Sequence, residues 1–559
     1  MNRKNKKLCW LGLFKAIALL NYGLLIAQTS VVQQDTIKKS EPLSSQLKLP
    51  DVLIYGEDKT VRHSVHKLLS DKDETEPIIL LHAELEQLSA TDSAEQKSHY
   101  KPQWHQIGSR GVAEVGYGRF QKLDFLAGWW RQIASTHFGI YAKYDRQDGE
   151  HRNSQFYNGN IDLYGSGEIA TGYRLNGKLQ LNSTGFGLYS AYDSSAERSC
   201  KNWATFVNFD KALGNAHNYG VGIHIKNIAY EDRYSDNRVQ RNEQIYGIDG
   251  DYSFKYRKFS ANVEWRYYHH TFSNPDNDSK FAQNYLEINP SLNFVASRYL
   301  AFNAGFLFED FEAGENLSKQ QLSPLLELVV TPFDNLGFKA GFSRRIEPVI
   351  FNKWQQINPF ALFEISQTPV KKSSELSLII EYSPQSKISF STQLLRQNFE
   401  DYGCWLGDQY TRLFRIHRLQ QVTITEWRTS LNLLIGRKML MDIGAVLKFD
   451  EVKIDSLSGQ DTVLPYFERL VFPINFEYKF SRQTTLLAKL KWIGPRQISI
   501  ISGDELDSYT DFSFEFRQKL FSKLTAIISG KNILNSDYEY WQGYPAWGAT
   551  IEAAVRASW

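Results

Sequence analysis

Apolar and polar residues alternate with a period of two through most of the chain, from residue 111 to residue 559. A representative run is 259–267, in which the apolar residues are Phe259, Ala261, Val263, Trp265 and Tyr267. Because successive side chains of a strand point to opposite faces, each run predicts a strand with one apolar and one polar face. The runs number roughly 22, and single-chain bacterial barrels have even strand numbers. The sequence therefore predicts an all-β fold, a transmembrane antiparallel β-barrel of about 22 strands.

The connections between these runs are of two kinds, which alternate along the chain. Some are very short and lie at 257–258, 334–335, 384–386, 481–482 and 522–523. Others are long and polar, and these lie at 145–157, 231–243, 271–282, 312–321, 346–373, 453–464 and 535–548. Short turns at one rim and long loops at the other are typical of outer-membrane barrels, in which the short turns are periplasmic. A soluble propeller would instead show a repeat of blade length, which this sequence lacks.

Aromatic residues are abundant although the chain is polar on average. It has 13 Trp, 30 Tyr and 35 Phe, and its mean hydropathy is −0.42. After residue 27 no apolar run approaches the roughly 20 residues that a membrane-spanning helix needs, which excludes a helical membrane protein. A barrel needs apolar residues only at every second position, with aromatic residues at both membrane interfaces. Trp129 and Trp130 are predicted to belong to such an aromatic girdle.

The first 110 residues have a different composition. Residues 1–27 begin with four positive charges between Arg3 and Lys7 and continue with an apolar stretch that ends at Ala27, the layout of a secretory signal peptide. Lys15 interrupts this stretch, which makes it too short for a membrane anchor. Residues 28–110 are polar and are predicted to be a mostly disordered periplasmic segment. Residues 111–559 then form the predicted barrel.

Charge and motifs exclude several classes of function. The net charge of +2 includes five positive charges within residues 1–27, so the exported chain is slightly acidic and is not predicted to bind nucleic acid. Cys200 and Cys404 are too few for a disulfide framework, although one bond between them stays open. His269 and His270 point to opposite faces of a strand, which disfavours a shared metal ion. With no phosphate loop, zinc signature or nucleophile elbow, we predict no cofactor, no metal site and no enzymatic activity.

The last run carries the sharpest local signal. Its apolar face is formed by Ile551, Ala553, Val555, Ala557 and Trp559. An alternating last strand that ends in an aromatic residue resembles the signal that outer-membrane barrels present to the barrel-insertion machinery. Trp559, Val555 and Ala557 are the residues predicted to carry it.

Residues 110–559 resemble the barrels of TonB-dependent receptors in three segments. The first is 111–120 with 144–149 downstream, and the second is the stretch 342–348 with Asn358 and Pro359. The third, 531–548, resembles the last external loop of the family, and its candidate residues are Asn532, Asp537, Tyr538, Tyr540, Gly543 and Pro545. The resemblance implies a protein of the bacterial outer membrane, in contact with its lipid, that takes up or binds a bulky solute. External loops would supply specificity, and a periplasmic or surface lipoprotein is a candidate partner.

One part of the family pattern is missing. The resemblance implies a globular plug before the barrel that TonB pulls, yet residues 56–105 are too short and too polar to form one. Residues 28–110 are interpreted as a vestigial plug or a linker, and the sequence gives no support for contact with TonB. The lumen of so wide a barrel conducts unless it is blocked, by residues 28–105, by inward-folded loops or by a partner. The alternative function is a plug-less barrel that serves as a structural or assembly scaffold for an envelope partner.

Overall fold

The computed structural model describes residues 111–559, apart from short segments at 134–135, 151–152, 189–190, 192–194, 214–216, 236, 275–278, 315–316, 349, 363–369, 386, 455–460 and 502. The predicted signal peptide and the segment 28–110 lie outside the described residues. The strands in this range are β1 (Gly111–Gly118), β2 (Lys122–Ile133), β3 (Thr136–Gln147), β4 (Phe156–Ala170), β5 (Tyr173–Gly187), β6 (Glu197–Leu213), β7 (His217–Arg233), β8 (Arg238–Tyr256), β9 (Phe259–Asn274), β10 (Ser279–Ser297), β11 (Leu300–Ala313), β12 (Leu317–Phe333), β13 (Leu336–Glu347), β14 (Val370–Gln385), β15 (Ile388–Gly407), β16 (Phe414–Ile435), β17 (Met439–Lys453), β18 (Leu470–Lys479), β19 (Thr484–Ile493), β20 (Arg496–Gln497), β21 (Glu505–Leu506), β22 (Tyr509–Phe521), β23 (Leu524–Lys531), β24 (Glu539–Trp541), β25 (Tyr544–Pro545) and β26 (Thr550–Ser558). A short helix, α1 (Phe351–Ile357), lies between β13 and β14.

Twenty-two of the described strands form one closed antiparallel barrel, as the sequence predicts. Each barrel strand pairs with the next, and β1 pairs with both β2 and β26. The seam is complete at its end, where Gly111 N donates to Trp559 O at 2.9 Å and Trp559 N donates to Gly111 O at 3.0 Å. Closure matters because every unpaired backbone group of an open edge would cost several kcal/mol in lipid. The remaining strands form two small hairpins, β20–β21 and β24–β25.

The alternation places the apolar face of each strand outside the barrel. On β8, for example, Tyr246, Ile248 and Tyr252 are exposed on the outer surface. One prediction was wrong here, because Trp129 and Trp130 cannot share a face of β2. Trp129 is 40% exposed to the outside, whereas Trp130 is 7% exposed and points inward.

The inner face of the barrel is polar and rich in ion pairs. Lys122 binds Glu552 at 2.7 Å, and Lys339 binds Glu327 at 2.8 Å. Cys200 on β6 and Cys404 on β15 are both buried and are not disulfide-bonded. None of the described helices is long and apolar enough to span a bilayer.

The two rims differ in the length of their connections, which sets the orientation of the barrel. The rim that contains Gly111 and Trp559 has short turns such as 257–258 and 522–523, and is therefore the periplasmic rim. The long polar loops expected at 231–243, 271–282 and 312–321 are mostly strand instead, with connections as short as 314–316. Those strands continue beyond the apolar belt, and the part of β8 that does so is mostly polar on both faces. A closed barrel of 22 antiparallel strands with an apolar outer belt is an outer-membrane architecture, which places the chain in a bacterial outer membrane.

Candidate functional site

Side chains from connections around the external rim meet in one hydrophobic cluster, which we call the mouth cluster. Its buried members are Leu188, Ala191, Ala196, Phe360, Leu413, Phe414, Trp541, Tyr544 and Trp547. They belong to the β5–β6, β13–β14, β15–β16 and β23–β26 connections or to the strand ends beside them. Twenty-two tilted strands enclose a barrel about 40 Å wide. Connections that leave its wall so far apart can touch only by folding inward over the mouth.

Phe360 is the centre of this cluster. Its ring stacks on Tyr544 with 3.8 Å between centroids and meets Phe186 edge-on at 5.9 Å. Phe186 belongs to β5, Phe360 to the β13–β14 connection and Tyr544 to the β23–β26 connection. These three positions are separated by roughly a quarter to two fifths of the way around the 22-strand barrel. Backbone bonds add to the contact, since Phe414 N donates to Phe360 O at 3.1 Å. Segments from three parts of the external rim therefore fold inward and meet at Phe360.

A buried arginine fixes the β13–β14 connection to the wall. Arg198 on β6 donates from Nε and Nη2 to the two oxygens of Asp232 on β7, at 2.6 and 2.8 Å. Its Nη1 donates to the carbonyl oxygens of Pro359 and Ala361, at 2.8 and 2.7 Å. The guanidinium thus holds the backbone on both sides of Phe360. Fork-like geometry of this kind is specific to arginine.

The same connection is fixed a second time through α1. Backbone N–H groups of Phe351 and Asn352 both donate to the carboxylate of Glu243 at 3.0 Å, which satisfies the first turn of the helix. Lys226 Nζ donates to Asn352 Oδ1 at 2.7 Å. The ring of Phe351 stacks on Phe272 of β9 at 4.1 Å. The helix therefore lies against the inner wall beneath the mouth.

The candidate residues of the last external loop are all placed in the β23–β26 connection. Asn532 is buried, accepts from Ser536 N at 3.0 Å and donates to Trp547 O at 2.7 Å. Tyr538 stacks on Tyr509 at 3.9 Å, and its hydroxyl lies 3.0 Å from that of Tyr540. These residues build the base from which the mouth cluster extends.

The tip of this connection is the β24–β25 hairpin. Gly543 turns it with a φ of 79° and donates its N–H to Glu539 at 2.8 Å. Pro545 pairs with Glu539 in the hairpin, and Asp537 is exposed. The hairpin places Tyr544, which lies in the third resembling segment but is not one of its candidate residues, against Phe360.

Burial fixes the protonation of the hairpin side chains. It raises the pKa of the Tyr544 phenol above its ordinary value, so the hydroxyl stays protonated and donates to Arg412 O at 3.1 Å. Burial also raises the pKa of Glu539, which the hydrogen bond from Gly543 N and the charge of Arg496 partly offset. Tyr544 therefore joins the mouth cluster as a neutral phenol that donates a hydrogen bond.

The residues predicted to signal assembly lie at the barrel seam. Val555 of β26 and Trp559, which directly follows this strand, are exposed on the outer surface, and Ala557 is half-buried between them. On the inner face Arg556 donates to Glu114 of β1. The adjacent histidines are separated as expected, with His269 against Asn284 at 2.8 Å and His270 against Glu243 at 2.8 Å. Among the residues that the structure describes, no group of acidic, His and Cys side chains could hold a metal ion.

Sequence reasoning missed Arg198, Glu243 and Phe360. Phe360 follows Asn358-Pro359 of the second resembling segment, which is the one local signal near it. Arg198 and Glu243 have no local signal, because the groups they bind in the β13–β14 connection lie more than 100 residues away in the chain.

No protein-family model matches the chain, and no curated protein matches its sequence. Solved structures do match. The closed form of the ferric-catecholate import receptor Fiu from E. coli K12 is 10% identical with a TM-score of 0.63, over 81% of this chain and 82% of that one. The FrpB iron transporter from Neisseria meningitidis (F5-1 variant) is 8% identical with a TM-score of 0.67, over 80% and 82%. The copper transporter OprC is 11% identical with a TM-score of 0.67, over 81% of each chain.

These structures are TonB-dependent receptors with 22-strand barrels. The chain shares their fold. The resemblance inferred from residues 110–559 is thus confirmed at the level of the fold, and all three proteins are named as receptors or transporters rather than enzymes.

Proposed function

We propose that the chain is a receptor-like outer-membrane barrel for uptake or binding of a bulky solute, and that the mouth cluster is its closed gate. The observation that carries this proposal is the meeting of Phe186, Phe360 and Tyr544 from three parts of the rim. A barrel of this width needs occlusion, because wide barrels either conduct or are plugged. Inward-folded loops provide that occlusion above a polar lumen, and their rearrangement would admit a solute.

The composition of the gate bears on the solute. Trp541 and Trp547 are buried, and their Nε1 donors have no hydrogen-bond partner among the described residues. Opening the gate would present these indoles together with the ring of Phe360. Aromatic faces beside free N–H donors suit a solute with flat or apolar surfaces and hydrogen-bond acceptors. The scaffold alternative gains no support, since the similar structures are named for import and transport.

Single-channel conductance of the full-length protein in planar bilayers tests the gate. We expect the wild-type channel to stay mostly closed and the Phe360→Ala/Tyr544→Ala variant to open often. Truncating a buried aromatic side chain costs about 3 kcal/mol or more, and about 1.4 kcal/mol is a tenfold change in a population. An open fraction raised about 100-fold is therefore expected. Tyr410→Ala is the matched control, because Tyr410 is 74% exposed.

A large, steady conductance in the wild-type protein would contradict the closed gate, as would equal opening in Tyr410→Ala and the double variant. Repeating the measurement without residues 28–105 separates the loops from the N-terminal segment. If the shortened chain remains closed, the mouth cluster is sufficient. If it conducts steadily, the segment rather than the loops blocks the lumen.

A further inference from the structure

The turns at the periplasmic rim carry a strong excess of positive charge. From β8–β9 to β22–β23 there are seven consecutive turns, and described residues in six of them are basic. These residues, which we call the basic arc, are Arg257, Lys258, Arg298, Lys387, Arg437, Lys438, Arg482 and Lys523. Asp334 is the one carboxylate among the described residues of these turns. The basic arc extends around more than half of the barrel.

The cations of the basic arc are exposed and have no acidic partner. Each of the eight side chains is exposed, and none forms a salt bridge within 4.0 Å to a described carboxylate. Cations inside the barrel behave differently. Arg428, for example, binds Glu426 at 2.7 Å. The charges of the basic arc are therefore available to a partner outside the chain.

The basic arc lies at the edge of the apolar outer belt. Exposed apolar side chains flank its turns, among them Tyr256, Ile435 and Phe521. The guanidinium of Arg257 lies 5.3 Å from the centroid of the Tyr256 ring, within reach of a cation–π contact. Aromatic side chains mark the membrane interface in barrels. The cations therefore lie where the headgroups of the periplasmic leaflet begin.

The external rim carries more acidic than basic residues in its connections. The excess of cations at the periplasmic rim is therefore not a general feature of the exposed ends of the barrel. In the β19–β22 connection, for example, the described acidic residues are Asp504, Glu505 and Asp507, against the single cation Arg496. Cations of the external rim lie beside acids, as Arg233 and Arg238 both do beside Glu231.

We propose that the basic arc binds the headgroups of anionic phospholipids in the periplasmic leaflet. Basic side chains beside a bilayer attract anionic lipids, and each added Lys or Arg strengthens the attraction. The cations lie in a row around the barrel, in the plane of the membrane, so each can contact a different lipid headgroup. A folded acidic protein would need a compact surface facing the periplasm, which single cations spread over six turns do not provide. Bound headgroups would fix the depth and tilt of the barrel.

Spin-labelled lipids measure this preference directly. The full-length protein is reconstituted in phosphatidylcholine vesicles with trace spin-labelled phosphatidylglycerol or phosphatidylcholine, and the fraction of immobilised label is compared. We expect phosphatidylglycerol to be preferred by about threefold or more at low salt. The ratio of immobilised phosphatidylglycerol to immobilised phosphatidylcholine should fall to about one in the variant Arg437→Gln/Lys438→Gln/Arg482→Gln/Lys523→Gln. In the wild-type protein this ratio should decrease at high salt.

The control removes four exposed external charges instead, in Arg119→Gln/Arg233→Gln/Arg238→Gln/Arg415→Gln, so that both variants have the same net charge. It should keep the wild-type lipid preference. Heat-resistant mobility on gels confirms that each variant is folded. No preference in the wild-type protein overturns the proposal and leaves an acidic protein as the candidate partner. Equal losses in the two variants also overturn it, because net charge alone would then explain the attraction.

Discussion

Nε2 of His270 donates a 2.8 Å hydrogen bond to the carboxylate of Glu243, and both side chains are completely buried. Gln283 Nε2 lies 2.6 Å from Nδ1 of the same imidazole, which fits a ring that donates at Nε2 and accepts at Nδ1. Tyr230 also donates to Glu243, at 2.8 Å. Because α1 donates two backbone N–H groups to this carboxylate, one side chain joins three strands to the connection that carries Phe360.

Replacing Glu243 should release α1 from the wall. Glu243→Ala leaves His270, Tyr230 and two helix N–H groups without their acceptor, and breaking such a buried network costs about 3 kcal/mol or more. Hydrogen exchange followed by mass spectrometry should show faster exchange in peptides covering 350–362. Glu327→Ala is the control, since Glu327 binds Lys339 on the open inner wall. Unchanged exchange in the Glu243 variant would show that α1 is held by its other contacts.

The barrel can be predicted from the sequence because the alternation determines how the strands pair. A shift of one residue in the pairing register would point the whole apolar face of a strand into the lumen. The alternation therefore fixes the face of residues such as Ile551 and Val555. It does not fix where a strand ends. Beyond the lipid belt both faces of β8 are mostly polar, so residues 231–243 resemble a loop in sequence although most of them belong to β7 and β8.

The candidate site is harder to predict from the sequence, because its key residues bind groups that are distant from them in the chain. Glu243 binds a helix that begins 108 residues later, and Arg198 binds carbonyl groups 161 and 163 residues later. Neither residue differs locally from the many charged residues that line the lumen. The resemblance to a known last loop does locate Asn532 and Tyr538, since their contacts are within or beside that loop.

Arg198 and Asp232 should be energetically coupled. Arg198→Met leaves two backbone carbonyls without their donor and leaves the buried carboxylate of Asp232 with the bond from Arg241 Nη1, so we expect a loss of about 3 kcal/mol in the free energy of unfolding. Adding Asp232→Asn removes the buried charge and should restore part of that loss. Urea unfolding of the four proteins of this cycle in lipid vesicles measures the coupling. Lys339→Met serves as the control, and strictly additive effects at Arg198 and Asp232 would contradict the prediction.

Trp559 should be needed for assembly more than for lipid contact. Trp559→Ala removes the aromatic side chain that directly follows β26, and we expect the folded outer-membrane fraction to fall several-fold, whereas Trp559→Phe should keep most of it. The closing strand must pair before the barrel is free of open edges. Heat-modifiable mobility of membrane fractions measures the folded amount. Trp203→Ala is the matched control, because Trp203 is an outward-facing tryptophan of β6, and an equal loss there would rule out a special role for the last residue.

Asn532 and Asn535 offer a matched pair for testing the base of the mouth cluster. Both have a positive φ, of 45° and 50°, which Asn and Asp tolerate well. Asn532 uses both ends of its amide, accepting from Ser536 N and donating to Trp547 O. Asn535 accepts from Ala549 N at 2.9 Å, and a carboxylate can make that bond equally well. Asn532→Asp should therefore place a carboxylate against the buried carbonyl of Trp547, whereas Asn535→Asp should be nearly neutral.

The expected cost of Asn532→Asp is about 1–3 kcal/mol, the penalty for a buried polar group without its partner. Faster hydrogen exchange in peptides covering 536–549, together with more frequent channel opening, would follow from it. Asn532→Gly tests the backbone separately, since glycine accepts the positive φ but supplies neither hydrogen bond. If Asn532→Asp and Asn535→Asp behave alike, the bond to Trp547 O does not stabilise the closed mouth.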